Sequence, residues 1–365
     1  MSHPYLTIDL DKIEHNARTI VGLCREHGIE VTGVTKVTCG HPEVAKAMLR
    51  GGVSSIADSR MENIHRLKGA GIHTSYMLLR LPPLSGVEEV VDAVDVSLNS
   101  EISVLAGLSE AACRRDRIVD VLLMVDLGDL REGIWPDDLL PFVKEAVELP
   151  GIRISGLATN LACFGGVVPS EEKMNQLVEL AREIEKKFGL TLKWISGANS
   201  SGLELIASGG MPRRVNHARI GEAILLGRET THRRAWPNTF QDAFLLHAEV
   251  LELKEKPSVP VGVRSEDAFG KLPTFEEQGN VKRALLNVGR EDLDVEGITP
   301  LAPNLTILGA SSGYLVLDAT SAADDIRVGD ELSFYLNYSA LLAAMTSEYV
   351  KKHLLRGGVP MEQGM

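Results

Sequence analysis

Between about Glu30 and Leu226 the chain alternates short apolar, β-branched runs with longer segments whose apolar residues recur every three or four positions. Eight runs of the first kind can be read: EVTGVTKV, SSIADSR, SYMLLRL, DVSLN, VDVLLMVDLG, RISGLATN, KWISGAN and RRVNHARIG. Helical spacing is plainest in HPEVAKAMLRGG and EEKMNQLVELAREIEKKFG, where a glycine follows the last turn as a stop. Strand and helix in alternation predict parallel strands joined by crossover helices. Eight such units predict an α/β fold, a (β/α)8 TIM barrel, whose active site must lie at the C-terminal ends of its strands. The residues that close each run are therefore the candidates for chemistry.

After Trp236 the pattern changes. AFLLHAEVLELKEKPSVP, VKRALLNVGRED, LTILGASSGYLVLDAT and DELSFYLN are β-like runs broken by Pro, Gly, Asn and Asp, with no helical segments between them. This predicts a mostly antiparallel β domain over 236–365, following a barrel over 1–235 whose N-terminal segment is free to pack on the second domain. YSALLAAMTSEYVKKHLL, with Leu341, Leu342, Met345 and Tyr349 at helical spacing, predicts a terminal helix. A length of 365 residues suits two domains better than one core.

Composition narrows the partners. A net charge of −12 would be repelled by nucleic acid and by anionic membrane surfaces, so neither is an expected partner. No stretch approaches the roughly 18 uncharged apolar residues of a spanning helix, and the N-terminal residues lack a signal-peptide pattern. Cys24, Cys39, Cys113 and Cys163 are scattered without metal-ligand or disulfide-framework spacing. The expectation is a cytoplasmic protein with no metal.

Lys36 closes the first barrel run, among apolar and hydroxyl residues and before a Cys-Gly turn. Burial there disfavours the ammonium and lowers its pKa, the condition an amine needs to condense with an aldehyde. A lysine snorkelling from the strand end, or paired with a barrel carboxylate, fits the same position. SGANSSGL, which contains Ser200, and Arg219-Ile220-Gly221-Glu222 close the last two runs, where such barrels present backbone N–H groups to a phosphate; tight packing turns are the competing use. Arg219 beside a pyridine nitrogen would keep that nitrogen unprotonated, whereas a salt bridge with Glu222 would make it structural. Arg131, bracketed by Gly128 and Gly133, offers a fork for a carboxylate or an internal turn pair. Asn160 could face a flat cofactor or form a turn.

Together these residues resemble the alanine racemase family, from TIDLDKIEHN at the start to NYSALLAAMTSEYV near the end. GVTKVTCGHPEVAKAML, IADSRMENI, LGDLREGI and LGASSGYLVLD resemble most the ornithine racemase branch. The resemblance implies a fold type III enzyme that uses pyridoxal 5'-phosphate (PLP) to racemise a free amino acid such as ornithine, lysine or alanine. Lys36 would hold the cofactor and act as one catalytic base, and Arg219 would face the pyridine nitrogen. Ser200, Gly221, Glu222 and Tyr338 would lie near the phosphate. Arg131 would stand near the substrate carboxylate, and Asn160 would replace a ring-contacting histidine. The resemblance also implies a head-to-tail homodimer with shared active sites.

The departures matter. Alanine racemases carry a G-Y-x-D-G motif whose tyrosine, from the partner subunit, is the base on the second face; here the matching stretch is NVGREDLDV, with Arg290 in its place. Proton removal from one face and return to the other needs a substitute. Tyr314 is the candidate, with Cys39 behind it; wall packing accounts for either equally well. Glu291, Asp292 and Asp294 in that loop suit a distal ammonium, as in ornithine or lysine, or simply solvent. Two other readings use the same lysine: a fold type III PLP aldolase or dehydratase, which would add a metal, and a non-catalytic PLP-binding regulatory protein, which would resemble the barrel alone.

Overall fold

The eight apolar runs all become strands. In the computed structural model, which describes residues 4–322 and 326–361, they close into a single parallel barrel. One strand, β1 (Tyr5–Asp9), precedes them. The barrel strands are β2 (Glu30–Val34), β3 (Ser55–Asp58), β4 (Tyr76–Leu78), β5 (Val96–Asn99), β6 (Val119–Met124), β7 (Ile152–Ala158), β8 (Trp194–Ala198) and β9 (His217–Ile220). Closure is between β2 and β9, where Thr32 stands beside Arg219, and Thr32 also stands beside Ser55 of β3. This register sets polar residues of three strands level with one another.

Between strands the chain returns through helices whose apolar stripes face the barrel. The helix Glu171–Phe188 shows why. Ser170 caps it, its Oγ accepting from the Lys173 N–H at 3.3 Å; Met174, Leu177, Val178, Ala181 and Ile184 are buried at helical spacing; Gly189, at φ 66°, ends it. Toward the barrel axis Val34, Ala57, Met77, Leu98, Leu122 and Met124 pack as one buried cluster. Each Val, Leu or Met side chain among these stabilises the fold by about 1.5–3 kcal/mol on burial.

The described residues divide into two compact units, Leu10–Gln241 and a second that joins the residues up to Asp9 with those from Asp242 onward. The second unit contains β10 (Phe244–Pro257), β11 (Asn280–Leu286), β12 (Ile298–Pro300), β13 (Thr306–Ala310), β14 (Leu315–Asp318), β15 (Glu331–Leu336), β16 (Lys351–Arg356) and β17 (Val359–Pro360). Its pairings are antiparallel except that β1 runs parallel to β16.

The expected terminal helix is shorter than its spacing predicts. It covers only Tyr338–Thr346, with Asn337 Oδ1 accepting from the Ala340 N–H at 2.9 Å, and excludes Tyr349. From Lys351 the chain is strand, pairing Tyr5 with Lys351 through Asp9 with Leu355. Without β16 that side of β1 would leave its peptide groups unpaired, and this long-range demand overrides the local helical pattern. No helix of the described residues is long and apolar enough to cross a membrane.

Candidate functional site

Lys36 lies just past β2 rather than at its end. It opens a 3₁₀ turn, Lys36–Thr38, and Cys39 and Gly40 follow at φ 52° and 59°. The turn is held from beneath by Asp58, the last residue of β3. Asp58 Oδ2 accepts from Thr35 Oγ1 at 2.7 Å, and its Oδ1 accepts from Asn63 Nδ2 at 2.9 Å and from the Arg60 N–H at 3.1 Å. Burial raises the Asp58 pKa, and these hydrogen bonds oppose the rise.

The Lys36 amine opens onto a cavity of about 390 Å³, lined also by Ser59, Leu79, Arg80, Leu81, Arg131 and Glu132, a size that suits a small-molecule site. Although the side chain is accessible through the cavity, surrounding protein displaces bulk water. That desolvation, reinforced by the Arg131 charge, holds the ammonium below the usual lysine range, while Cys163, Asp58 and Glu132 act the other way.

Arg131 and Glu132 sit on the loop after β6 as an adjacent ion pair, and an Arg131 N–H also donates to Cys163 Sγ at 2.6 Å. The loop folds back on its own strand: the Ile134 N–H donates to the Met124 carbonyl at 2.8 Å, and the Asp126 N–H to the Ile134 carbonyl at 3.0 Å. Gly133 makes this possible, with φ 141° and room for no Cβ, which would meet Asp126 N at 2.4 Å.

Arg219 is buried and takes no carboxylate partner among the described residues. One Nη donates to the Ser196 carbonyl at 3.1 Å and to Ser196 Oγ; the other donates to the Thr159 carbonyl at 2.7 Å. Burial pushes its pKa down to about 10, so it stays cationic at neutral pH. The open alternative of an Arg219–Glu222 salt bridge is not what forms: Glu222 pairs with Arg233 at 3.0 Å. Burial raises the Glu222 pKa, against Arg233, Arg228 and Lys36.

Around the last two strand ends, Asn199 ties two loops together. Its amide donates to the Leu161 carbonyl at 2.9 Å and to Asn160 Oδ1 at 3.1 Å, while its Oδ1 accepts from the Ser201 N–H at 2.7 Å. Ser200 Oγ accepts from the Ala223 N–H at 3.1 Å. Gly221 brings β9 against β2, since a Cβ there would lie 3.1 Å from Val34. One group of potential metal ligands occurs among the described residues, Glu204, Glu229 and His232. The Glu229 carboxylate is already engaged by the N–H groups of Thr231, His232 and Arg234.

The barrel thus carries Lys36, Cys39, Arg131, Asn160, Ser200, Arg219, Gly221 and Glu222 on the loops and strand ends of one unit. Cys39 is partly buried, and its carbonyl accepts from Arg66. Tyr314 and Tyr338 belong to the other unit. Tyr314 is half-exposed between β13 and β14. Its loop is bonded to the one that carries Arg290: the Arg290 N–H donates to the Ser311 carbonyl and the Glu291 N–H to the Ser312 carbonyl, each at 3.0 Å. Tyr338 is the first residue of the helix Tyr338–Thr346. In the same unit Arg290, Glu291, Asp292 and Asp294 line a hollow of about 510 Å³, where burial raises the Asp292 pKa.

Asp58, Arg80, Glu132, Ser196 and His217 are missing from the sequence-derived candidates. Asp58 and Glu132 lie inside motifs that carried the resemblance. His217 gave no signal: its partners, Thr32 and Ser196, join it only on barrel closure.

Comparison with known proteins identifies the family. The model for "Alanine racemase, N-terminal domain" matches residues 8–229. An ornithine racemase of Acetoanaerobium sticklandii is 40% identical over 97% of this chain and 100% of its own length. A lysine racemase of Thermotoga maritima is 41% identical, covering 96% and 98%. Among solved structures, an alanine racemase of Clostridium difficile 630 superposes with a TM-score of 0.75 at 19% identity, over 99% of this chain and 98% of that one. By a family match across well over half its length and relatives alike nearly from end to end, the chain belongs to the alanine racemase family.

Proposed function

We propose that the protein racemises a free basic amino acid, lysine or ornithine, with PLP bound through Lys36. The observation that carries this is the Lys36 amine, depressed in pKa and at a cavity, in a barrel that also buries the Arg219 cation with no carboxylate hydrogen-bonded to it among the described residues. The residues fit the group. An amine whose ammonium form is disfavoured suits an aldehyde, and Arg219 suits a ring nitrogen that must stay unprotonated. Thr159 Oγ1 is buried with no hydrogen-bond partner among the described residues, next to the carbonyl that Arg219 holds. Ser200, Gly221, Glu222 and Asn160 on the barrel would complete the cofactor's surroundings.

Bound there, PLP supplies the electron sink that makes a Cα proton removable. The chain's own residues do the rest. The Lys36 amine would take or return the proton on one face, and its lowered pKa favours the uncharged form that can act as a base. Arg131, with Arg80 beside it, orients the substrate carboxylate. Glu132 offers an anion to a distal ammonium, as do the acids flanking Arg290. On the second face Tyr314 stands in for the missing tyrosine, its loop bonded to the loop where that residue would be, with Cys39 the alternative. A head-to-tail homodimer would complete each site with the partner's β unit.

The test is racemisation of lysine, ornithine and alanine with added PLP, followed by borohydride reduction and peptide mapping. Turnover of the basic amino acids and a reduced adduct on Lys36 are expected. Turnover of alanine alone would refute the substrate assignment, and an unmodified Lys36 would refute the whole reading.

A further inference from the structure

A line of buried and part-buried polar groups runs from β3 to Arg219. Ser55 Oγ lies 2.7 Å from Thr32 Oγ1, and Thr32 Oγ1 lies 2.8 Å from His217 Nε2. His217 Nδ1 lies 2.7 Å from Ser196 Oγ, which in turn meets the Arg219 guanidinium. The direction of this line can be read from its arginine end. A guanidinium only donates, so Ser196 Oγ accepts there. Among the described residues, the acceptor left for the Ser196 hydroxyl hydrogen is His217 Nδ1. Nδ1 therefore carries no hydrogen. Nε2 carries it and donates to Thr32, whose hydroxyl donates to Ser55.

We propose that His217, neutral and in this one tautomer, is a positioning residue for Arg219, steering the guanidinium through Ser196. It does so with dipoles instead of a carboxylate. A carboxylate at that place would neutralise the cation; a hydroxyl backed by a neutral imidazole fixes the fork and leaves its charge uncancelled. Burial and the Arg219 charge both oppose protonation of the ring. The consequence for PLP rests on the function proposed above; the tautomer and the tether do not.

The test is ¹⁵N NMR of histidine-labelled, cofactor-free protein, together with PLP titration of variants. The expected spectrum shows His217 protonated on Nε2 only, unchanged from about pH 8 to about pH 5. His217→Leu and Ser196→Ala should each weaken PLP binding roughly tenfold and shift the absorption band of the bound cofactor. His217→Asn, whose carbonyl can accept from Ser196, should restore both to within about threefold. Hydrogen on Nδ1, titration within that range, or PLP affinity and spectrum unchanged in both Ser196→Ala and His217→Leu would overturn the proposal. Should His217→Leu not fold, the tautomer and Ser196→Ala still decide it. Wild-type protein that takes up no PLP would instead refute the proposed function, because the tautomer is read without cofactor.

Discussion

Asp58 is the residue through which the turn bearing Lys36 can be disturbed most selectively. Replacing it with alanine removes the acceptor of the Thr35 hydroxyl, the Asn63 amide and the Arg60 N–H. A buried donor left without a partner costs about 1–3 kcal/mol. Thr35 keeps a weak contact with the Ala57 carbonyl at 3.4 Å, and the Arg60 N–H is only partly buried. The loss should therefore come to about 3 kcal/mol. Asp58→Asn keeps one oxygen for Asn63 and Arg60 and turns its NH₂ toward Thr35, whose hydroxyl can accept, so about 1 kcal/mol is expected. Because burial raises the Asp58 pKa above its unfolded value, its contribution is fully present at acid pH and fades as pH rises through the raised value. The gap between wild type and Asp58→Asn should thus narrow from acid toward neutral pH. Urea unfolding of the cofactor-free protein, followed by circular dichroism, reads these differences. Both variants also remove an anion that favours the Lys36 ammonium, so the Lys36 pKa, read from the pH dependence of its acylation rate, should fall further. Equal losses for Asn and Ala, or a rise in the Lys36 pKa, would refute the assignment of Asp58 as the hydrogen-bonded anchor of this turn.

Lys36→Met should raise the melting temperature of the cofactor-free protein at neutral pH. A lysine with a depressed folded pKa contributes stability above its unfolded pKa and loses it as pH falls, so the advantage of Met should shrink toward about pH 10; a lower melting temperature at neutral pH contradicts this. Gly133→Ala forces a Cβ against Asp126 N at a φ that alanine avoids; thermal melts should show a loss of about 3 kcal/mol or more, and an unchanged melt would show that the loop can yield. Arg131→Lys keeps the charge but loses the planar fork, so steady-state kinetics should show KM rising roughly tenfold with kcat far less affected; a fall confined to kcat would place Arg131 elsewhere in the reaction.

The barrel was legible because each strand is a short β-branched run bounded by turn residues, and its alternation with helices survives in local sequence. Lys36 stood out as a candidate for a related reason, since it closes an apolar run. The polar line from Thr32 through His217 to Ser196 was not legible: each residue looks ordinary on its own strand, and only the β8, β9 and β2 register makes them neighbours. Arg219 stood out at the end of its run, but its partners did not, because carbonyl acceptors leave no mark in a sequence. The terminal helix was overextended for the converse reason. Leu341, Leu342, Met345 and Tyr349 do repeat at helical spacing, yet the fate of the segment after Thr346 is decided by β1, at the far end of the chain.

That pairing also fixes an order of events during synthesis. β1 leaves the ribosome first, but its two neighbours are encoded after Phe244 and Lys351, so every barrel strand is translated before β1 can pair on either side. The nascent chain must keep that segment from sticking to other chains until Lys351–Arg356 arrive. A stop codon placed just before Lys351 would leave one flank of it permanently bare, a defect in β1 caused by damage far downstream.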